Sequence, residues 1–175
     1  FVLVVRGSSE KTRTAVGVLA LLVGVVFTYA CGSSYMMEGR PAWNNVALPL
    51  AYFGTAASAG AGLNLLLKAA QKRDGAAISF AGLLAVAGGA LGLVLAAAFC
   101  LAAGVYGDAV VWAVVLFAAL AVEIACGAMA LKQPKSALAL GVVACVAGVA
   151  AAIALRVAMW LIGTPFMDFF LMALD

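Results

Sequence analysis

Histidine is absent from the 175 residues, and Asp, Glu, Lys and Arg together supply only 10% of them. The missing histidine removes the usual axial ligand of a b-type haem, the commonest zinc ligand and the commonest general base. The shortage of charge excludes intrinsic disorder, which needs low hydrophobicity and high net charge. It excludes nucleic-acid binding too, because a net charge of +3 is spread over short loops with no basic stripe interleaved with aromatics. Cysteine is scarce and scattered. Cys31, Cys100, Cys126 and Cys145 lie 69, 26 and 19 residues apart, whereas zinc and iron–sulfur sites draw on close pairs such as C-x₂-C. Each sits in an apolar run and reads as a small packing residue. The polypeptide is therefore expected to hold no metal and no redox centre of its own.

What is present is hydrocarbon. Apolar residues make up 67% of the chain and the mean hydropathy is +1.20, far above a soluble domain. Five long apolar runs, at about 14–37, 46–69, 76–104, 109–131 and 136–163, are separated by short polar breaks. Each is long enough to cross ~30 Å of hydrocarbon at ~1.5 Å per residue. The expected fold is an all-α, polytopic transmembrane bundle forming one domain. Asn45 reads as an N-cap of the second span, with Pro49 in its first turn, where a missing N–H costs little. Gly88-x-x-x-Gly92 and the pair Gly60 and Gly62 are either close-packing faces or ordinary small residues of an alanine-rich helix. The opening Phe1-Val2-Leu3-Val4-Val5 is too short to span and reads as the end of a preceding helix, so the chain is expected to be a fragment. The tail Thr164 to Asp175 is too short to span again.

Loop charges set the orientation. Arg6, Lys11, Arg13, Lys68, Lys72, Arg73, Lys132 and Lys135, eight of the ten basic residues, fall on breaks that share one side. The other side holds Arg40 with Glu38, Asp108, Asp168 and Asp175. The positive-inside rule places the first set in the cytoplasm and the C-terminus outside. Trp43, Tyr106, Trp112 and Trp160 fall near the outer boundary, as an aromatic belt would.

Two charges, Glu123 and Arg156, remain inside the apolar runs, where ionisable residues are costly and functional by default. Counting residues from the inner ends of their spans puts Glu123 at ~12 Å depth and Arg156 at ~30 Å. An offset of ~18 Å is too large for the two to pair. Arg156 either snorkels to the headgroups or faces the bundle, offering a fixed cation to an anion or ligand. Glu123 is a neutral buried acid, a proton-relay group or a carboxylate bonded to a neighbouring helix; burial favours the protonated structural role. Thr28, Cys31 and Tyr35 share a face of the first span, suited to an interhelical hydrogen-bonding surface or a small-molecule pocket. One reading of Glu123 and Arg156 is a secondary transporter in which both line the substrate path, which calls for an internal repeat and broken helices; neither is evident.

Gly24-Val25-Val26-Phe27, Ser34-Tyr35, Pro41-Ala42-Trp43-Asn44-Asn45 and Leu48-Pro49-Leu50-Ala51-Tyr52-Phe53 together resemble the membrane-anchor subunit of the dimethyl sulfoxide reductase family. Arg156 followed four residues later by Trp160 fits the same family's last span. The resemblance implies that the chain covers the fourth to eighth of eight spans, with Phe1 to Val5 ending the third. It implies a non-catalytic subunit in a bacterial cytoplasmic membrane that binds menaquinol, oxidises it and passes electrons to an iron–sulfur subunit beside a molybdopterin catalytic subunit during anaerobic respiration. Under this reading Arg156, Tyr35 and Trp43 are the candidates for the quinol site or partner contact, with Glu123 as the intramembrane acid. The loop around Trp43 is the expected docking surface. The family pattern places a glutamate one turn before the arginine, where this chain has Ala152, so an ion pair or proton path through that acid is absent or supplied by Glu123.

Overall fold

The computed structural model describes residues 9–163; the stub Phe1–Val5 and the tail from Thr164 lie outside the described residues. Five long helices account for almost all of this stretch: α1 (Glu10–Ser33), α2 (Ala47–Ala70), α3 (Gly75–Ala103), α4 (Ala109–Lys132) and α5 (Ala137–Gly163). A single 3₁₀ turn, Pro134–Ser136, joins α4 to α5. All five are long and apolar enough to cross a membrane. The chain is an all-α helical bundle.

Polar side chains mark the helix starts. Ser9 caps α1 by accepting from Thr12 N at 3.3 Å, and Asp74 caps α3 by accepting from Ala77 N at 2.9 Å. At the start of α2, Asn45 Oδ1 accepts from Leu48 N at 3.2 Å. Gly104 ends α3 in the left-handed region (φ 67°), where its N–H and that of Val105 both reach Cys100 O; a side chain there would be strained. Helix bounds lie within one residue of the hydropathy runs for α2 to α5. α1 sits four residues nearer the N-terminus than its run, because Ser9 starts it ahead of a charged first turn and the glycine–serine stretch Gly32-Ser33-Ser34 ends it.

α2, α3, α4 and α5 form a closed ring of four, each packed on two neighbours, while α1 packs on α2. Backbone-to-backbone approach at glycine holds the ring together. A Cβ on Gly62 would lie 2.7 Å from Ala144 O, one on Gly141 2.7 Å from Leu66 Cα, and one on Gly148 2.8 Å from Ala59 Cα, all across α2 and α5. Gly82 and Gly127 press on each other's carbonyl oxygens in the same way between α3 and α4, each at 2.8 Å. Gly88 and Gly92 are a packing face: Gly88 meets Ala61 and Ala57, and Gly92 meets Gly54 and Ser58 of α2. The Gly60 and Gly62 pair divides. Gly62 is in the α2–α5 contact, but a Cβ at Gly60 would meet nothing within 4 Å, since the two positions are ~200° apart around the helix. In lipid, where burying hydrocarbon drives nothing, such close approach is what gives neighbouring helices their dispersion contacts.

Candidate functional site

The polar groups left inside this apolar bundle gather in two places. One is the end of the molecule formed by the α1–α2 loop and the C-terminal turns of α5. Trp43 is 1% exposed and its indole Nε1 donates to Met159 O at 2.8 Å. Gly163 makes room for it: any Cβ there would fall on the indole ring. Tyr35 stands edge-on to Trp43 (ring centroids 6.0 Å) and to Trp160 (6.2 Å), and lies 5.9 Å from Tyr52. Trp43 and Trp160 meet edge to face at 5.0 Å, the arrangement the ring quadrupoles favour. Cations cover two of these rings. The Arg40 guanidinium lies 4.2 Å from the Trp43 centroid, and that of Arg156 5.3 Å from Tyr52, within cation–π range.

Below the rings, α1, α2 and α5 enclose a cleft of about 110 Å³. Phe27, Thr28 and Cys31 supply one wall, Tyr52, Thr55 and Ala56 the second, and Ala152, Leu155 and Arg156 the third. Most of its hydroxyls are committed. Thr28 Oγ1 donates to Gly24 O or Val25 O, and Thr55 Oγ1 to Ala51 O or Tyr52 O, all within their own helices. Tyr52 donates to Met159 Sδ at 3.6 Å. The guanidinium of Arg156 makes no hydrogen bond or ion pair among the described residues and borders the cleft. It is the strongest donor there.

The second place is the bundle centre. Glu123 of α4 is 0% exposed, and Ser58 of α2, equally buried, donates its Oγ to Glu123 Oε2. Gly148 of α5 leaves space for the carboxyl: a Cβ there would be 3.2 Å from Oε2. Oε1 is buried without a hydrogen bond among the described residues. A carboxyl in this setting acts as a helix-to-helix tie between α2 and α4.

The structure brings Arg156, Tyr35 and Trp43 into one cluster, linked through Tyr52 and Trp160, and leaves Glu123 apart from it. Glu123 turns to Ser58, in keeping with the depth offset that separates it from Arg156, and it does not line the cleft. It therefore does not take the place of an acid at Ala152. The two charges do not share one path. Two expectations are corrected. Trp43 is no lipid-facing belt residue, unlike Tyr106 and Trp160 at 56% and 47% exposed; its indole N–H has a carbonyl partner in the interior and its ring fills the hollow over Gly163. Burial also removes its ring from any docking surface, so that the loop presents Glu38, Gly39, Pro41 and Asn44 instead. On the α1 face of Thr28, Cys31 and Tyr35, Thr28 turns back on its own backbone, whereas Tyr35 meets Tyr52 of α2 both ring to ring and through a side-chain hydrogen bond. Met159 and Ser58 are the participants that sequence reasoning passed over, and Tyr52 entered it only within the family pattern. Tyr52, Thr55 and Ser58, at i, i+3 and i+6, form a polar stripe on one face of α2, and this was the available signal.

An apolar five-helix chain with an aromatic–arginine cluster at one end is compatible with several membrane roles. A family model described as DMSO reductase anchor subunit (DmsC) matches residues 1–174. The chain belongs to that family. As a member of the DmsC family it is a multi-pass membrane protein and a membrane anchor of the DMSO reductase type. No match was found among curated proteins or among solved structures.

Proposed function

We propose that this DmsC-family chain binds menaquinol at the α1–α2–α5 cleft and passes its electrons to an iron–sulfur partner subunit, which feeds a molybdopterin catalytic subunit. The observation that carries the reading is the Arg156 guanidinium, which makes no hydrogen bond or ion pair among the described residues and borders a largely apolar, ring-lined cleft. A quinol offers an aromatic ring and two hydroxyls. Apolar and aromatic walls take the ring, and Arg156 donates to one ring oxygen, where negative charge develops as protons leave. Oxidation of one menaquinol to menaquinone releases two electrons to the partner's cluster and two protons to water. The cleft, at about 110 Å³, is smaller than the roughly 300–1,000 Å³ of ordinary ligand pockets. It accommodates the polar edge of the ring, with the isoprenoid tail outside in lipid.

The lopsided loop charges support a bacterial cytoplasmic membrane as the setting, with the lysine-bearing turns in the cytoplasm and the C-terminus outside. Such an orientation puts the cleft and the Tyr35–Trp43 cluster near the outer surface, on the side of the loop residues Glu38, Gly39, Pro41 and Asn44. Those residues are where the iron–sulfur partner would dock.

The test is Arg156→Leu, measured as turnover of a menaquinol analogue by membranes carrying the assembled complex. A donor hydrogen bond from a charged group is worth about 1.5–3 kcal/mol, so turnover is expected to fall roughly 10- to 100-fold. Arg156→Lys, which keeps the charge without the planar fork, should recover part of that loss. Unchanged turnover in a normally inserted Arg156→Leu protein would remove the cleft from the mechanism.

A further inference from the structure

On the far side of α2 the bundle has a second hollow of different character. Leu21 of α1 and Phe80 and Leu84 of α3 wall a groove of about 620 Å³ whose floor includes Gly60 and Asn64 of α2. It ends at Lys68, which also borders an open polar hollow with Lys72, Arg73 and Asp74. Gly60, Asn64 and Lys68 are spaced i, i+4 and i+8, so they form one stripe on α2 that passes from bare backbone to amide to ammonium, ~6 Å per step. From Ala57 to Lys68 the groove runs ~16 Å along the helix, about the depth of one leaflet.

Charge at the Lys68 end is unbalanced. Asp74 is the one acid of the hollow, and its Oδ1 is already engaged by Ala77 N at the start of α3. Arg73 Nε donates to Gln71 Oε1 at 3.2 Å. The ammonium groups of Lys68 and Lys72 make no hydrogen bond or ion pair among the described residues, and Lys72 is held at φ 51°, outside the usual range for a side-chain-bearing residue. At the same end α1 contributes Lys11 and Arg13 against Glu10.

We propose that this groove binds one anionic phospholipid, with an acyl chain along Gly60, an ester carbonyl at Asn64 and the phosphate at Lys68 and Lys72. The sequence of apolar, amide and cationic groups matches the order of groups along such a lipid, over the length of one leaflet. Basic pockets between transmembrane helices hold anionic headgroups by this combination of charge and shape. The site lies on a different face of α2 from the Arg156 cleft and does not depend on the quinol reading.

The experiment is native mass spectrometry of the full chain in detergent, titrated with phosphatidylglycerol and phosphatidylcholine of equal chain length. Phosphatidylglycerol should be retained at least about tenfold more strongly. A Lys68→Gln, Lys72→Gln double variant should lose about that factor. Gly60→Leu should lose it as well, because its side chain enters open groove rather than backbone. Circular dichroism confirms folding; Ala87→Leu, from the opposite wall, replaces Gly60→Leu should that variant fail to fold. Equal retention of both lipids overturns the proposal. So does binding that survives either groove-filling variant but not the lysine variant, which would mean surface charge alone. Equal retention of tail-less glycerophosphoglycerol, or a dimer of the chain that phosphatidylglycerol does not displace, overturns it too.

Discussion

Ser58 and Glu123 show how one polar contact holds a place in a bundle made almost entirely of hydrocarbon. Ser58 Oγ reaches the carboxyl from α2, Gly148 clears the space beside it on α5, and Oε1 stays without a hydrogen bond among the described residues. Removing the hydroxyl leaves a buried acid with its bonded oxygen orphaned, a loss of about 1–3 kcal/mol. Ser58→Ala should therefore lower the free energy of unfolding in detergent by that much. Glu123→Gln keeps a group of the same shape that still accepts from Ser58, so its free energy of unfolding should stay within about 1 kcal/mol of the parent. Turnover of the assembled complex separates structure from proton transfer. If Glu123→Gln is as stable as the parent but loses turnover, the acid moves a proton and is more than a tie.

Helix positions were legible in the sequence because the runs are long and bounded by polar breaks; the packing between them was less so. Hydropathy has no phase in a helix that is apolar on every face, as α3 and α4 are, so it does not say which glycines touch. Gly60 and Gly62 make the point. Both are small residues of one helix, yet Gly62 is pressed against Ala144 O and Gly60 faces open space. Gly62→Ala should force α2 and α5 apart at a cost of about 1–3 kcal/mol, while Gly60→Ala should be close to neutral. Thermal unfolding of the two single variants measures the difference, and equal losses would mean that α2 is rotated from the orientation described here. The same limit applied at the site. Arg156 and Glu123 stood out as lone charges, and Tyr35 and Trp43 through the family pattern. Ser58 did not, because a serine in a membrane helix is common and only the tertiary contact gives it a role; Tyr52 entered only as one residue of the family pattern. Trp43 was placed in the lipid belt because position along a span gives depth, whereas burial depends on which way the loop folds.

At the level of the whole molecule the helices are unequally held. In the ring α2 to α5 each meet two neighbours, and α2 meets α1 as well, whereas α1 packs on α2 and has 6% of its apolar stretch buried against 28–39% for the others. The cleft draws one of its three walls from α1, through Phe27, Thr28 and Cys31. A cleft of about 110 Å³, proposed to admit the edge of a quinol ring, can widen if its least-anchored wall moves, since local opening free energies follow the buried contact each element has. Hydrogen–deuterium exchange on the detergent-solubilised chain should accordingly show faster exchange along α1 than along α2 or α5. Adding a quinone analogue that occupies the cleft should slow exchange around residues 27–31, 52–56 and 152–156 and leave residues 80–91 of α3 unchanged. Uniform protection of all five helices would mean that α1 is fixed as firmly as the ring. The cleft would then be too small for its proposed ligand, whatever the family implies.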